Sequence, residues 1–143
     1  MRDLYHNVLA TQVLNPVVST ATKTSSTIDL QGYNSVSVVF AIGLSGDTLS
    51  GSLYWTLSLQ DSPDNSTWTA VPASAISAGV DGGATTAVLN TTSSDRQAYS
   101  FGYIGGQRYL QAVATPTGAV STGVPIGIVA LRGTPGYRPV VYP

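Results

Sequence analysis

Apolar and polar residues alternate with a period of two through the middle of the chain, the period of half-buried β-strands. In Ser35 to Ile42, the residues Val36, Val38, Phe40 and Ile42 fall on one face, and Ser35, Ser37, Val39 and Ala41 on the other. Leu53, Trp55, Leu57 and Leu59 repeat the pattern against Tyr54, Thr56, Ser58 and Gln60. A helix would scatter either set around its circumference. Further strands are expected at Thr27–Leu30, Ser66–Val71, Thr85–Asn90, Gln97–Ile104, Arg108–Thr115 and Val124–Leu131, with one helical turn at Ala73–Ile76.

Short polar or glycine-rich breaks separate these runs, among them Gly32-Tyr33-Asn34, Ser62-Pro63-Asp64-Asn65, Asp81-Gly82-Gly83 and Thr115-Pro116-Thr117-Gly118. About eight strands with turn signals at such intervals predict an all-β fold, a compact antiparallel β-sandwich or barrel. Gly105-Gly106, free to take positive φ between two strand patterns, predicts a tight hairpin.

The ends read differently. Residues 1–24 hold Leu4, Tyr5, Val8, Leu9, Val13, Leu14, Val17 and Val18 without a sustained period, and Asn15-Pro16 interrupts them. Residues 133–143 carry three prolines, which favour extended chain over sheet pairing. The chain therefore divides into an N-terminal arm (1–24), a β domain (25–132) and a C-terminal arm (133–143). Both arms contain apolar side chains, each worth about 1.5–3 kcal/mol when buried. They pack on their own domain or reach a neighbour. The candidate anchors for a neighbour are Leu4, Tyr5 and Val8, with Tyr137, Val140 and Tyr142.

Titratable chemistry is sparse. There is no Cys and no Glu, and Lys23 and His6 are single examples of their kinds. The acids are all Asp, at 3, 29, 47, 61, 64, 81 and 95, and most sit beside Gly, Ser, Asn or Pro, where a short carboxylate closes a turn. One His and no Glu make poor material for hydrolytic catalysis, so no catalytic, cofactor or metal residue is assigned and no enzymatic activity is expected. Asp61 and Asp64 offer oxygen ligands for Ca²⁺, but no bidentate acid follows, and a turn is the better reading. A net charge of −1 with 9% charged residues provides no basic stripe for nucleic acid and favours association. No apolar run reaches the length of a membrane span, nor does the start resemble a signal peptide, so synthesis in the cytoplasm is expected. Among the aromatics, Trp55, Tyr99 and Phe101 point inward by period, which leaves Trp68 as the candidate surface contact.

Four segments carry a resemblance: Asp3-Leu4-Tyr5-His6-Asn7-Val8, Asp29-Leu30-Gln31-Gly32-Tyr33, Leu59-Gln60-Asp61-Ser62-Pro63-Asp64-Asn65-Ser66-Thr67-Trp68 and Tyr103-Ile104-Gly105-Gly106-Gln107-Arg108-Tyr109-Leu110. In this order they resemble small virion structural proteins of tailed bacteriophages and prophages, most of all capsid decoration (cement) proteins. The resemblance implies a compact β domain with extended ends, often a homotrimer. It would bind the major capsid protein on the outer shell, clamp neighbouring subunits and reside on the virion surface. The alternative is a tail, neck or receptor-binding component whose Trp68 and Tyr54 contact host-surface glycans. Neither reading involves nucleic acid, membrane or cofactor.

Overall fold

The structure, a computed structural model, describes residues 4–78 and 84–136. Eleven strands run among them: β1 (Val8–Ser19), β2 (Lys23–Thr24), β3 (Ile28–Asp29), β4 (Tyr33–Ile42), β5 (Tyr54–Ser62), β6 (Thr69–Ala70), β7 (Ile76–Ala78), β8 (Thr86–Leu89), β9 (Ala98–Tyr103), β10 (Tyr109–Thr117) and β11 (Val124–Pro135). A single 3₁₀ turn, Ala73–Ala75, sits where one helical turn was expected. The strands form two antiparallel sheets packed as a sandwich. One has the order β1-β11-β4-β9-β7; the other has the order β2-β10-β5-β6, with β3 also on β10 and β8 also on β5.

The alternating faces fill the interior as their period requires. Val36, Val38, Phe40 and Ile42 from β4 meet Trp55, Leu57 and Leu59 from β5, joined by Tyr99 and Phe101 from β9 and Ile126, Ile128 and Ala130 from β11. Phe40 and Phe101, on neighbouring strands, pack edge to face with ring centroids 5.6 Å apart.

Two expectations need correcting. Residues 8–19, read from the sequence as part of an arm, are instead the edge strand β1, paired with β11 from Val8↔Gly133 to Ser19↔Val124. The pairing shifts register between Gln12 and Leu14 and again between Leu14 and Val17. Each shift moves side chains to the other face, which is why no steady period shows in the sequence. Pro16 fits because β1 is an edge and because Gly127 opposite it has no side chain; a Cβ there would lie 3.1 Å from the proline ring. At the other end, Gly133–Pro135 belong to β11, while Tyr137, Val140 and Tyr142 lie outside the described residues.

The second correction concerns Gly105-Gly106. No hairpin forms there, because β9 pairs with β4 and β7 in one sheet while β10 pairs with β5 in the other. The segment is a crossover, and neither glycine has positive φ. Gly105 is needed for closeness instead: a Cβ would lie 2.3 Å from the Tyr103 hydroxyl.

Phe101 is fully enclosed, so Phe101→Ala should lower the unfolding free energy by about 3–5 kcal/mol in a urea titration. Val88→Ala, on the exposed outer face of β8, should change it by less than about 0.5 kcal/mol.

Candidate functional site

Two ends of the sandwich can be distinguished. At one end, β1 begins, β4 begins, β9 finishes at Tyr103 and β5 finishes beside Asp61; this is the Tyr103 end. At the opposite end, Asp47 holds the loop that leads into β11.

Asp61 continues the inward face of β5 and is only 6% exposed. A carboxylate there must be hydrogen-bonded. Its Oδ2 accepts from the Tyr103 hydroxyl of the facing sheet at 2.8 Å, and its Oδ1 accepts from the Thr69 hydroxyl at 3.1 Å. The Tyr103 oxygen accepts in turn from the Gln107 N–H at 3.2 Å. Burial, followed by the bond to Asp61, pushes the Tyr103 phenol up to about 12.

At the other end, Asp47 accepts from the N–H groups of Gly123 (2.7 Å) and Thr122 (3.0 Å) and from the Ser121 hydroxyl (2.8 Å). The Gly123 and Thr122 N–H groups bring its carboxyl down to about 2. Asp64 is likewise lowered to about 2, first by the Thr67 N–H and then by the Ser66 N–H and the Ser62 hydroxyl. Asp29 is lowered chiefly by Arg108, which grips it with two bonds of 2.7 and 3.0 Å. Asp95 accepts from the Ser45 N–H and from Arg96. All five described aspartates therefore hold loops or sheets together. Among the described residues, no group of His, Asp or Glu is placed to hold a metal ion.

The expected contact residues divide by position. Leu4 and Tyr5, 73% and 62% exposed, sit in a turn before β1 in which the Leu4 carbonyl accepts from the N–H groups of Asn7 and Val8. Val8, half-buried, opens β1 opposite Gly133. Ile104, 63% exposed, lies at the same end, because Tyr103 pairs with Val36 and β4 begins just before it. The opposite end carries Val17, Val18 and Leu44, all exposed. Val18 pairs with Pro125, whose carbonyl accepts from the Gly43 N–H next to Leu44.

Trp68 is half-buried beside the Asp64 loop, while Tyr54 opens β5 at the far end of the same strand. The seven steps from Tyr54 to Asp61, whose partner Thr69 follows Trp68, put the two aromatics roughly 23 Å apart along the strand. They do not form a joint platform. Sequence reasoning treated Asp61 as turn punctuation and missed its link to Tyr103. The signal was present: extending the alternations Trp55, Leu57, Leu59 and Tyr99, Phe101 by one step reaches Asp61 and Tyr103.

No protein-family model matches this chain, and no curated protein matches it. Among solved structures, it is similar to the crystal structure of the SPBc2 prophage-derived protein YomS, with a TM-score of 0.52 and 13% sequence identity. The likeness covers 90% of this chain and 94% of that one, which establishes a shared fold over nearly the full length. No helix among the described residues is long and apolar enough to cross a membrane.

Two measurements test the polar anchors. Tyr103→Phe leaves Asp61 short of a partner and should cost about 1–3 kcal/mol of stability at neutral pH. Folded Tyr103 keeps its proton up to about 12, whereas an unfolded tyrosine releases it near about 10. Wild-type stability should therefore fall as pH rises through that window, and the Tyr103 share of the fall should vanish in the variant. Asp47 works in the opposite sense. Unfolded, it takes up a proton near the ordinary aspartate value of about 3.9; folded, only near about 2. Its stabilisation is present above the first value and lost as pH falls through the second. Asp47→Asn should be less stable at neutral pH and should show a shallower loss across that acid window in denaturant titrations.

Proposed function

We propose that this chain is a virion component of a tailed phage, a capsid decoration protein that binds the outside of the head and clamps neighbouring subunits of the major capsid protein. The observation that carries this reading is the pair of apolar ends. Leu4, Tyr5 and Ile104 are exposed at one end, and Val17, Val18 and Leu44 at the other. The 12-residue strand β1 joins them, a span of roughly 40 Å at about 3.3 Å per residue. A rigid sandwich with adhesive surface at both ends is suited to bridging two protein surfaces.

The remaining features support the same role. The described carboxylates serve loops and the sheet-to-sheet contact, which suits a role in protein contact. The fold shared with a prophage-derived protein fits a phage origin. A component that binds assembled shell but not free subunits shifts the equilibrium toward the intact particle by mass action, so many copies of a modest contact suffice. A homotrimer would multiply that contact at a threefold position on the shell.

Purified heads lacking tails should retain the protein in copy numbers comparable with shell subunits. Replacing Leu4 and Tyr5 together by Ala should weaken head binding at least tenfold in a co-sedimentation assay, since each buried apolar side chain is worth about 1.5–3 kcal/mol. Far-ultraviolet circular dichroism should not change. Recovery of the protein with tails alone, or undiminished binding by the double variant, would overturn the reading.

A further inference from the structure

An open cleft of about 480 Å³ lies at the Tyr103 end, between the turn that joins β3 to β4 and the crossover from β9 to β10. Leu30, Val36 and Ile104 give it apolar walls, and Asn34 and Gln107 give it amides. Its position follows from the sheet ladders. β4 is an inner strand, with β11 on one side and β9 on the other. Its pairing with β11 runs as far as Tyr33↔Pro135, but its pairing with β9 stops at Val36↔Tyr103, where the chain leaves for the other sheet. Among the described residues, Tyr33–Ser35 thus have a strand on one side and none on the other, and because the Tyr33 N–H already donates to the Leu30 carbonyl at 3.0 Å, the open edge is Asn34–Ser35. The missing stretch of strand is where the cleft opens.

We propose that this cleft takes an extended, uncharged peptide segment of the shell protein, which adds to the edge at Asn34–Ser35 as a short extra strand. The inference rests on the decoration reading and names the partner's chemistry at one of its contacts. Backbone N–H and C=O groups along an interrupted ladder are matched by another extended backbone, the basis of recognition by strand addition. The contact is short, since two residues of strand extend about 7 Å. Charge selects the segment. Arg108 is the one charged residue that lines the cleft among the described residues, and Asp29 neutralises it through two hydrogen bonds of 2.7 and 3.0 Å. A charged segment would find no counterion there, whereas apolar side chains find Leu30, Val36 and Ile104. The entrance is clear at Gly106, where even an added Cβ would meet nothing within 4 Å.

The test uses the full-length protein and tailless heads. A photoreactive diazirine amino acid at Ile104 should crosslink, on illumination of the complex, to one uncharged stretch of the shell protein identified by mass spectrometry. Ile104→Asp, a change at an exposed position, should weaken head binding at least tenfold with circular dichroism and melting temperature unchanged. If wild-type protein binds heads but the crosslink stays within its own chain, including residues 137–143, or if Ile104→Asp binds as wild type, the inference fails and the decoration reading stands. Absence of any head binding by wild-type protein would sink both.

Discussion

A hydrogen bond from the Tyr103 hydroxyl to the Asp61 carboxylate joins the two sheets, and much of the molecule's organisation follows from it. Asp61 occupies the last inward position of β5, where the face of Trp55, Leu57 and Leu59 would otherwise remain wholly apolar. A carboxylate there is tolerable only with partners, and Tyr103 must approach closely to supply one. That approach brings the ring against the following chain, so residue 105 can carry no side chain. The chain then crosses to the second sheet instead of turning back as a hairpin. Because β9 stops at Tyr103, β4 continues past its neighbour and the cleft opens beside it.

The few charges are spent in the same economical way. Asp47 gathers the N–H groups of Ser121, Thr122 and Gly123, and Asp64 those of Ser66 and Thr67, so each loop is fixed by one carboxylate rather than by a core of its own. The outer face of the second sheet is left with Thr56, Ser58, Gln60 and Gln111, where the Gln111 amide donates to Gln60 at 2.7 Å. Such a surface has little long-range field. Encounters with other proteins are then governed by short-range fit and apolar contact and depend weakly on salt.

The sandwich was legible because its central strands obey one period: β4 and β5 fall where Val36 to Ile42 and Leu53 to Gln60 alternate. The edges were not legible. β1 contains two register shifts and a proline, so its side chains change face twice within 12 residues. The two-residue strand β2 and the three-residue strand β7 are too short to show any period, and non-local pairing alone defines them. Gly105-Gly106 misled because a glycine pair signals freedom of φ, whereas here the constraint is the volume of the Tyr103 ring. Of the proposed contact surface, the exposure of Leu4 and Tyr5 could be anticipated from apolar residues outside any strand pattern. The cleft could not, since it arises from the difference in length between two ladders that sequence does not reveal.

The irregular pairing of β1 matters beyond the single molecule. A long, uncharged border strand is ordinarily an invitation to templated stacking of identical chains. Here Pro16 withholds one donor and the two offsets break the straight row of backbone groups, so another copy can align with only a few consecutive residues before losing step. Copies crowded together at high concentration would thus be kept from growing into fibrils by geometry rather than by electrostatic repulsion, which a chain of net charge −1 has little of.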